Sequence, residues 1–254
     1  VRPYLGSSQQ LLANTRVECT FSVEFAGSGS AGTAPRYGSA LKACGLSETV
    51  SSGTSVTYEP ISASFSSVTI HYNVDGVRHI VTGCRGNVAL ETAVGEIPKL
   101  NFTFTGIYNA PTDTALPSVT YGNQATPLIF KNGNTSSFAL LSYAGALQSL
   151  NMDMGNSIVY RELVGGTKEV LLTDRAANGS VSIESPTIAQ KDYFSAALSD
   201  TTLGNIQVTH GTTAGNICKF SSAKVDIGDV NYGEMDGVNM LEIPYTLVPS
   251  SAND

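Results

Sequence analysis

Charged side chains are scarce in this sequence. Asp, Glu, Lys and Arg make up 14% of its 254 residues, well under the roughly 25% usual in soluble globular domains. The few cations leave a net charge of −7, which argues against a basic face for nucleic acid. The four cysteines form no CxxC pair. Cys19, Cys44, Cys84 and Cys218 therefore read as buried, reduced thiols rather than a zinc set or a disulfide framework. No apolar run approaches the ~20 residues that span a bilayer, and no signal-peptide pattern is visible. The chain starts at Val1 rather than Met, so a further piece is expected upstream.

Motifs that carry chemistry are missing too. Three histidines are present. In the hairpin read below, His79 falls on the Val/Ile face opposite Tyr72 and His71 on the other, so the two do not form a shared metal site. A partly buried structural histidine is the expectation. The acidic run from Asp226 to Gly237 resembles a calcium loop, but counting from Asp229 puts Glu234 where Gly is needed and Met240 where Glu is needed. It reads as acidic turns between strands. There is no GxSxG elbow, Walker loop or dinucleotide fingerprint. Asn101, Asn134 and Asn178 match the glycosylation pattern only as chance allows. No catalytic, cofactor-binding or metal-binding residue is expected, and the chain does not read as an enzyme.

What is present is an internal correspondence between the two halves. Phe21-Ser-Val-Glu24, Tyr37-Gly-Ser-Ala-Leu41, Val88-Ala-Leu90, Gly95-Glu96 and Leu100-Asn-Phe-Thr-Phe104 recur in order as Val181-Ser-Ile-Glu184, Tyr193-Phe-Ser-Ala-Ala-Leu198, Val225-Asp-Ile227, Gly233-Glu234 and Leu241-Glu-Ile-Pro-Tyr245. The spacing drifts by amounts that surface loops tolerate. Residues 1–110 hold seven basic and seven acidic side chains, and residues 111–254 hold seven and fourteen. The net charge therefore falls in the second half.

Alternation sets the local structure. After an irregular arm over 1–14, Val17, Cys19, Phe21, Val23 and Phe25 share one face of a strand over 16–25. A Gly/Ser-rich loop over 26–33 reads as a flexible flap. Pro35 to Cys44 reads as a short helix stopped by Gly45. Asp75-Gly76 is a two-residue hairpin turn that pairs Val74 with Val77, Tyr72 with His79 and Ile70 with Val81. Strands follow near 86–94 and 99–107. Residues 108–136, with Pro111, Pro117 and Pro127, read as a connecting arm, long for a link inside one compact domain. Beyond it come a strand near 138–152, a hairpin over 157–173 turning at Gly165-Gly166, and a strand near 179–185. Ser185-Pro186 is expected to open a helix running to Leu198. The last strands are placed near 204–210, 216–228 and 238–248. The expected fold is mainly β (α+β), with two tandem β-sandwich or barrel-like units, each with one flanking helix. The boundaries are 1–109 with the N-terminal arm, 110–136 as linker, and 137–254.

Several stretches resemble the major tail tube proteins of long-tailed bacteriophages and prophages. They are Leu41 to Val50 followed by Gly53 to Tyr58, Val68 to Val77, Gly83-Cys-Arg-Gly86, and Gly95 to Asp113. In the second half, Ser142 to Leu147, Thr173-Asp-Arg175 and Thr209 to Asn216 add to them. The strength lies in their ordered succession over most of the chain. The resemblance implies a structural virion protein whose subunits form rings stacked into a hollow conduit for DNA ejection. It implies self-assembly together with tape-measure, tail terminator and tail tip proteins, passage of viral DNA through the lumen, no membrane insertion, and assembly in the bacterial cytoplasm. Relatives often carry a further N-terminal segment, so a first strand is expected upstream or from a neighbour. With two units per chain, three chains supply a pseudo-sixfold ring of alternating neutral and acidic sectors, with a ring of six chains as the alternative. A duplicated adhesin or receptor-binding module is the alternative, as is the tube of a contractile or secretion apparatus.

Overall fold

The computed structural model of the chain describes residues 11–199 and 201–250. Residues 1–10 of the expected arm lie outside them. Strand β1 (Arg16–Glu24) follows the alternation read from the sequence. Its Phe21 rests on Phe102 and Phe104, with ring centroids 5.4 and 5.8 Å away. Helix α1 (Gly38–Ala43) is one short segment, and Gly45 beyond it takes φ 80°, the left-handed stop that glycine adopts without strain. The pair β2 (Leu46–Ser51) and β3 (Ser55–Pro60) forms a small separate hairpin.

Strands β4 (Val68–Val74) and β5 (Val77–Ala93) turn at Asp75 (φ 38°) and Gly76 (φ 86°), with Val74↔Val77, Tyr72↔His79 and Ile70↔Val81 in register as expected. The strand expected near 86–94 is not separate. β5 runs on for 17 residues through a bulge at Gly83, then pairs with β6 (Lys99–Tyr108). The segment after β6 contains only the two-residue β7 (Thr112–Asp113) as regular structure.

Two strands, β8 (Thr135–Leu140) and β9 (Leu147–Asp153), replace the single one expected near 138–152. The hairpin β10 (Asn156–Arg161) and β11 (Glu169–Arg175) forms a second small sheet, and β12 (Asn178–Glu184) follows. Helix α2 (Tyr193–Ala197) is far shorter than the helix expected from Ser185. Asp192 is its cap, accepting from the Ser195 N–H at 2.9 Å. Residues 185–191 are drawn elsewhere: the Ser185 N–H donates to Asn239 O, and Gln190 Oε1 takes the Thr187 N–H. The final strands are β13 (Gly204–His210), β14 (Cys218–Ile227), β15 (Asn231–Met235) and β16 (Val238–Leu247). β15 lies inside the run expected to be acidic turns. Asp236 (φ 52°) and Gly237 (φ 81°) make its hairpin turn to β16.

Twelve strands join in one sheet, ordered β1-β6-β5-β9-β12-β16-β14-β13-β8, with β4 and β7 on β5 and β15 on β16. Both halves lay down their strands in one pairing order, β1-β6-β5-β4 and β12-β16-β14-β13. The register agrees as well. Phe21↔Phe102 and Val23↔Leu100 occupy the positions of Val181↔Ile243 and Ile183↔Leu241. β9 joins the halves, pairing with β5 on one edge and β12 on the other.

One continuous core lies on a single side of this sheet. Leu90, Phe102, Phe104, Leu150, Val181, Ile183, Leu241 and Ile243 are buried there, with Tyr37 and Leu41 of the α1 region and Tyr193 of α2 packed over them. All four cysteines are free thiols. Burial pushes Cys44 up to about 12 and Cys84 and Cys218 up to about 11, while Cys19 is only half-buried.

Candidate functional site: the polar face and open edges of the sheet

The side of the sheet opposite the core carries hydroxyls, amides and carboxylates. Alternation forces this, because each strand that sends Val, Leu or Phe inward must send its intervening residues outward. Across β1, β6, β5, β9 and β12, one row reads Glu24, Lys99, Glu91, Asn151 and Ser180. The next reads Ser22, Asn101, Ala89, Asp153 and Asn178. Ser22 Oγ donates to Asn101 Oδ1 at 2.6 Å, and Asn101 Nδ2 donates to Glu91 Oε2 at 3.0 Å. Asn87 Nδ2 donates to Asp153 Oδ1 at 2.5 Å, and Ser182 Oγ to Gln148 Oε1 at 2.6 Å. These cross-strand bonds fix a smooth, neutral-to-acidic surface.

The charges on this face are unbalanced. Glu18, Glu24, Glu91, Asp153, Glu184, Asp226 and Glu242 stand on it, against Arg16, Lys99, Lys219 and Lys224. Arg85 is spent elsewhere, with its guanidinium donating to the carbonyls of Val170, Phe65 and Ser66. Such a field repels a polyanion.

The sheet has uncovered edges. β1 pairs only with β6, and β15 only with β16. Residues beside these edges differ from their counterparts in the other half. Phe21 on β1 is 39% exposed, whereas Val181, its equivalent on β12, is 1% exposed. Tyr232 on β15 faces Leu241 and is 65% exposed. Leu90 on β5 faces Leu100, the equivalent of Leu241. The pairing therefore makes Tyr232 its counterpart, rather than the Ile227 of the sequence correspondence, which pairs with Tyr245. Leu90 is 2% exposed. The difference is β9, which covers the edges of β5 and β12 and has no counterpart beside β1 or β15 among the described residues. Free edges flanked by large apolar side chains invite pairing with another chain.

The 26–33 loop, read as a flap, is pinned. The Gly29 N–H donates to Gly215 O at 2.9 Å, and the Gly27 N–H to Asn216 Oδ1 at 3.1 Å. A Cβ on Gly27 would lie 2.1 Å from Gly215 O, so only glycine permits the contact. Much of the connecting arm is also tied down. Arg36 Nε donates to Gly122 O, the Ala125 N–H to Gly27 O, and Phe130 is buried. Leu116, Val119 and Tyr121 of that arm stay exposed.

His71 and His79 are both exposed, contrary to the partly buried histidine expected there. The buried histidine is His210, which carried no sequence signal. Its Nε2–H donates to Leu128 O at 3.1 Å, and its Nδ1 accepts from Thr135 Oγ1 at 2.9 Å. Among the described residues no three His, Cys, Asp or Glu side chains converge to hold a metal, and no helix is long and apolar enough to cross a membrane.

The family model for phage tail tube proteins matches residues 1–247. The chain belongs to the phage tail tube proteins. No curated protein matches it. Tail tube proteins are structural components of the virion.

Proposed function

We propose that this tail tube protein assembles through the β1 and β15 sides of its sheet into rings that stack as a hollow conduit for DNA ejection. The exposure of Phe21 and Tyr232, at positions buried in the other half, carries this reading. A neighbouring subunit at each edge would do for them what β9 does for Val181 and Leu90.

The two halves, 1–109 and 137–254 joined by 110–136, act as two tube-like units. Three chains then complete a pseudo-sixfold ring. The polar face lines the lumen, where its carboxylates keep DNA from adhering while the tape-measure protein and later the genome occupy the channel. The exposed Leu116, Val119 and Tyr121 of the connecting arm reach the next ring, and tail terminator and tail tip proteins close the two ends of the stack. Assembly takes place in the bacterial cytoplasm.

Native mass measurement on isolated rings tests the reading. Three chains per ring are expected. Six chains per ring would overturn the trimer, and a protein that stays monomeric at all concentrations would overturn ring assembly.

A further inference from the structure

The correspondence between the halves extends upstream of β1. When Phe21–Glu24 is set on Val181–Glu184 and the pairing is continued backward without a gap, Leu11-Leu12 falls on Leu171-Leu172 and Asn14 on Asp174. Residues Leu11 to Thr15 are thus the counterpart of the end of β11. Their surroundings differ completely. Leu171 and Leu172 are half-buried, whereas Leu11 is 88% and Leu12 80% exposed.

The use of β11 within the chain is plain. It closes over the C-terminal end of α1. A Cβ on Gly45 would lie 2.9 Å from Leu172 Cδ1. Arg175 Nη2 donates to Gly45 O at 2.8 Å, and Asn156 Nδ2 of the same hairpin donates to Cys44 O at 2.7 Å. Cys44 and Gly45 are buried beneath it. Among the described residues the corresponding end of α2 has no such cover: its C-cap Leu198 is 86% exposed, and Leu203 beyond the turn is 43% exposed. Among the described residues, therefore, the counterpart of β11 is exposed and the counterpart of the surface that β11 covers is uncovered.

We infer that Leu11–Thr15 of one subunit docks on the C-terminal turn of α2, around Leu198 and Leu203, of the adjacent subunit. The inference rests on the proposed ring, and the placement follows from it. β11 precedes β12 and covers the other half across the β9 junction. The Leu11–Thr15 segment precedes β1 and covers the second half of the neighbour across the junction between subunits. Each seam of the ring is then closed twice, once by the sheet edges and once by this strap.

The test is a cysteine pair, Ala13→Cys with Ser199→Cys, in the full chain. Rings are isolated, treated with a short bis-maleimide and run on denaturing gels, with each single variant and the unmodified protein as controls. The expected result is conversion of most of the monomer band to linked dimers and trimers in the double variant alone. Rings of the expected mass that give no linked species would overturn the strap while leaving the ring intact. Linkage confined within one chain, seen as a monomer of altered mobility, would overturn it as well, because the segment would then fold back on its own α2. If the unmodified protein never forms rings, the strap falls together with the ring.

Discussion

Leu90 and Tyr232 occupy equivalent places in the two halves, so truncating each to alanine should separate folding from assembly. Leu90 is 2% exposed in the continuous core, and Leu90→Ala should cost the isolated subunit about 3 kcal/mol through lost burial and the cavity left behind. Tyr232 is 65% exposed and touches Phe194 with ring centroids 5.5 Å apart. Tyr232→Ala should therefore cost the isolated subunit only about 1 kcal/mol, the worth of that ring pair. Assembly reverses the order. A side chain of about 200 Å² that is 65% exposed still offers about 130 Å² for burial at a seam, worth about 3 kcal/mol at ~25 cal/mol/Å². Each seam should then weaken by roughly 100-fold. Urea denaturation of dilute protein reads the first quantity, and sedimentation velocity across a concentration series reads the second. The reasoning fails if Tyr232→Ala destabilises the subunit as much as Leu90→Ala, or if it assembles at unchanged concentration.

Three more predictions rest on buried polar groups. Burial holds His210 below its ordinary pKa, with the hydrogen bond to Leu128 O opposing the shift. The unfolded chain therefore binds the proton more readily, and stability should be complete above pH ~6.5 and fall as pH drops below it. Melting temperatures of His210→Gln should lack that component of the slope, and identical slopes would refute the assignment. Arg175→Met removes bonds to Gly45 O, Ile61 O and Asn156 Oδ1. At about 1 kcal/mol or more for each bond to a charged donor, it should cost about 3 kcal/mol, read as faster hydrogen exchange at the end of α1; unchanged exchange there would count against hairpin docking. Alkylation of the native protein should modify Cys19 first and reach Cys44, Cys84 and Cys218 only on unfolding, since burial raises the pKa of each. Equal rates at all four would contradict the packing.

Local signals carried the legible part of the fold. The Asp75-Gly76 turn and the alternation around it set the β4–β5 register before any tertiary contact is considered. The same dipeptide signal at Asp236-Gly237 was obscured by the surrounding carboxylates, and β15 was hidden with it. Ser185-Pro186 and Asp192 are both sound helix starts by local chemistry. The choice between them is made by distant partners, with Asn239 O holding Ser185 and Leu141 O holding Lys191. The polar face was legible strand by strand but not as a surface. Nothing in the residues of β9 says that it will lie between β5 and β12, because pairing across tens of residues leaves no local trace. The exposure of Tyr232 and Phe21 was invisible for the same reason, since it depends on which strand is absent beside them.

The placement of charge now bears on how the ring would treat its cargo. The excess of acid in the second half suggested neutral sectors alternating with acidic ones, yet the polar face receives carboxylates from both halves: Glu18, Glu24 and Glu91 from the first, Asp153, Glu184, Asp226 and Glu242 from the second. The cations are even, with Arg16 and Lys99 from the first half and Lys219 and Lys224 from the second. In the proposed ring every sector is therefore negative, the second-half sectors more so. Much of the remaining second-half acid lies away from this face, as with the exposed Asp229, Glu234 and Asp236 around β15. A lumen negative at every sector offers DNA no site at which to rest. A patch of cations in each first-half sector would have added several phosphate contacts per ring, and their attraction would multiply along a stack. The chain avoids this by covering the face with Ser, Thr and Asn, whose hydrogen bonds are largely satisfied across strands, and by turning Arg85 inward onto backbone carbonyls. Low charge on this face, with the net sign kept negative, is what the 14% charged content of the sequence would give the wall of the proposed conduit.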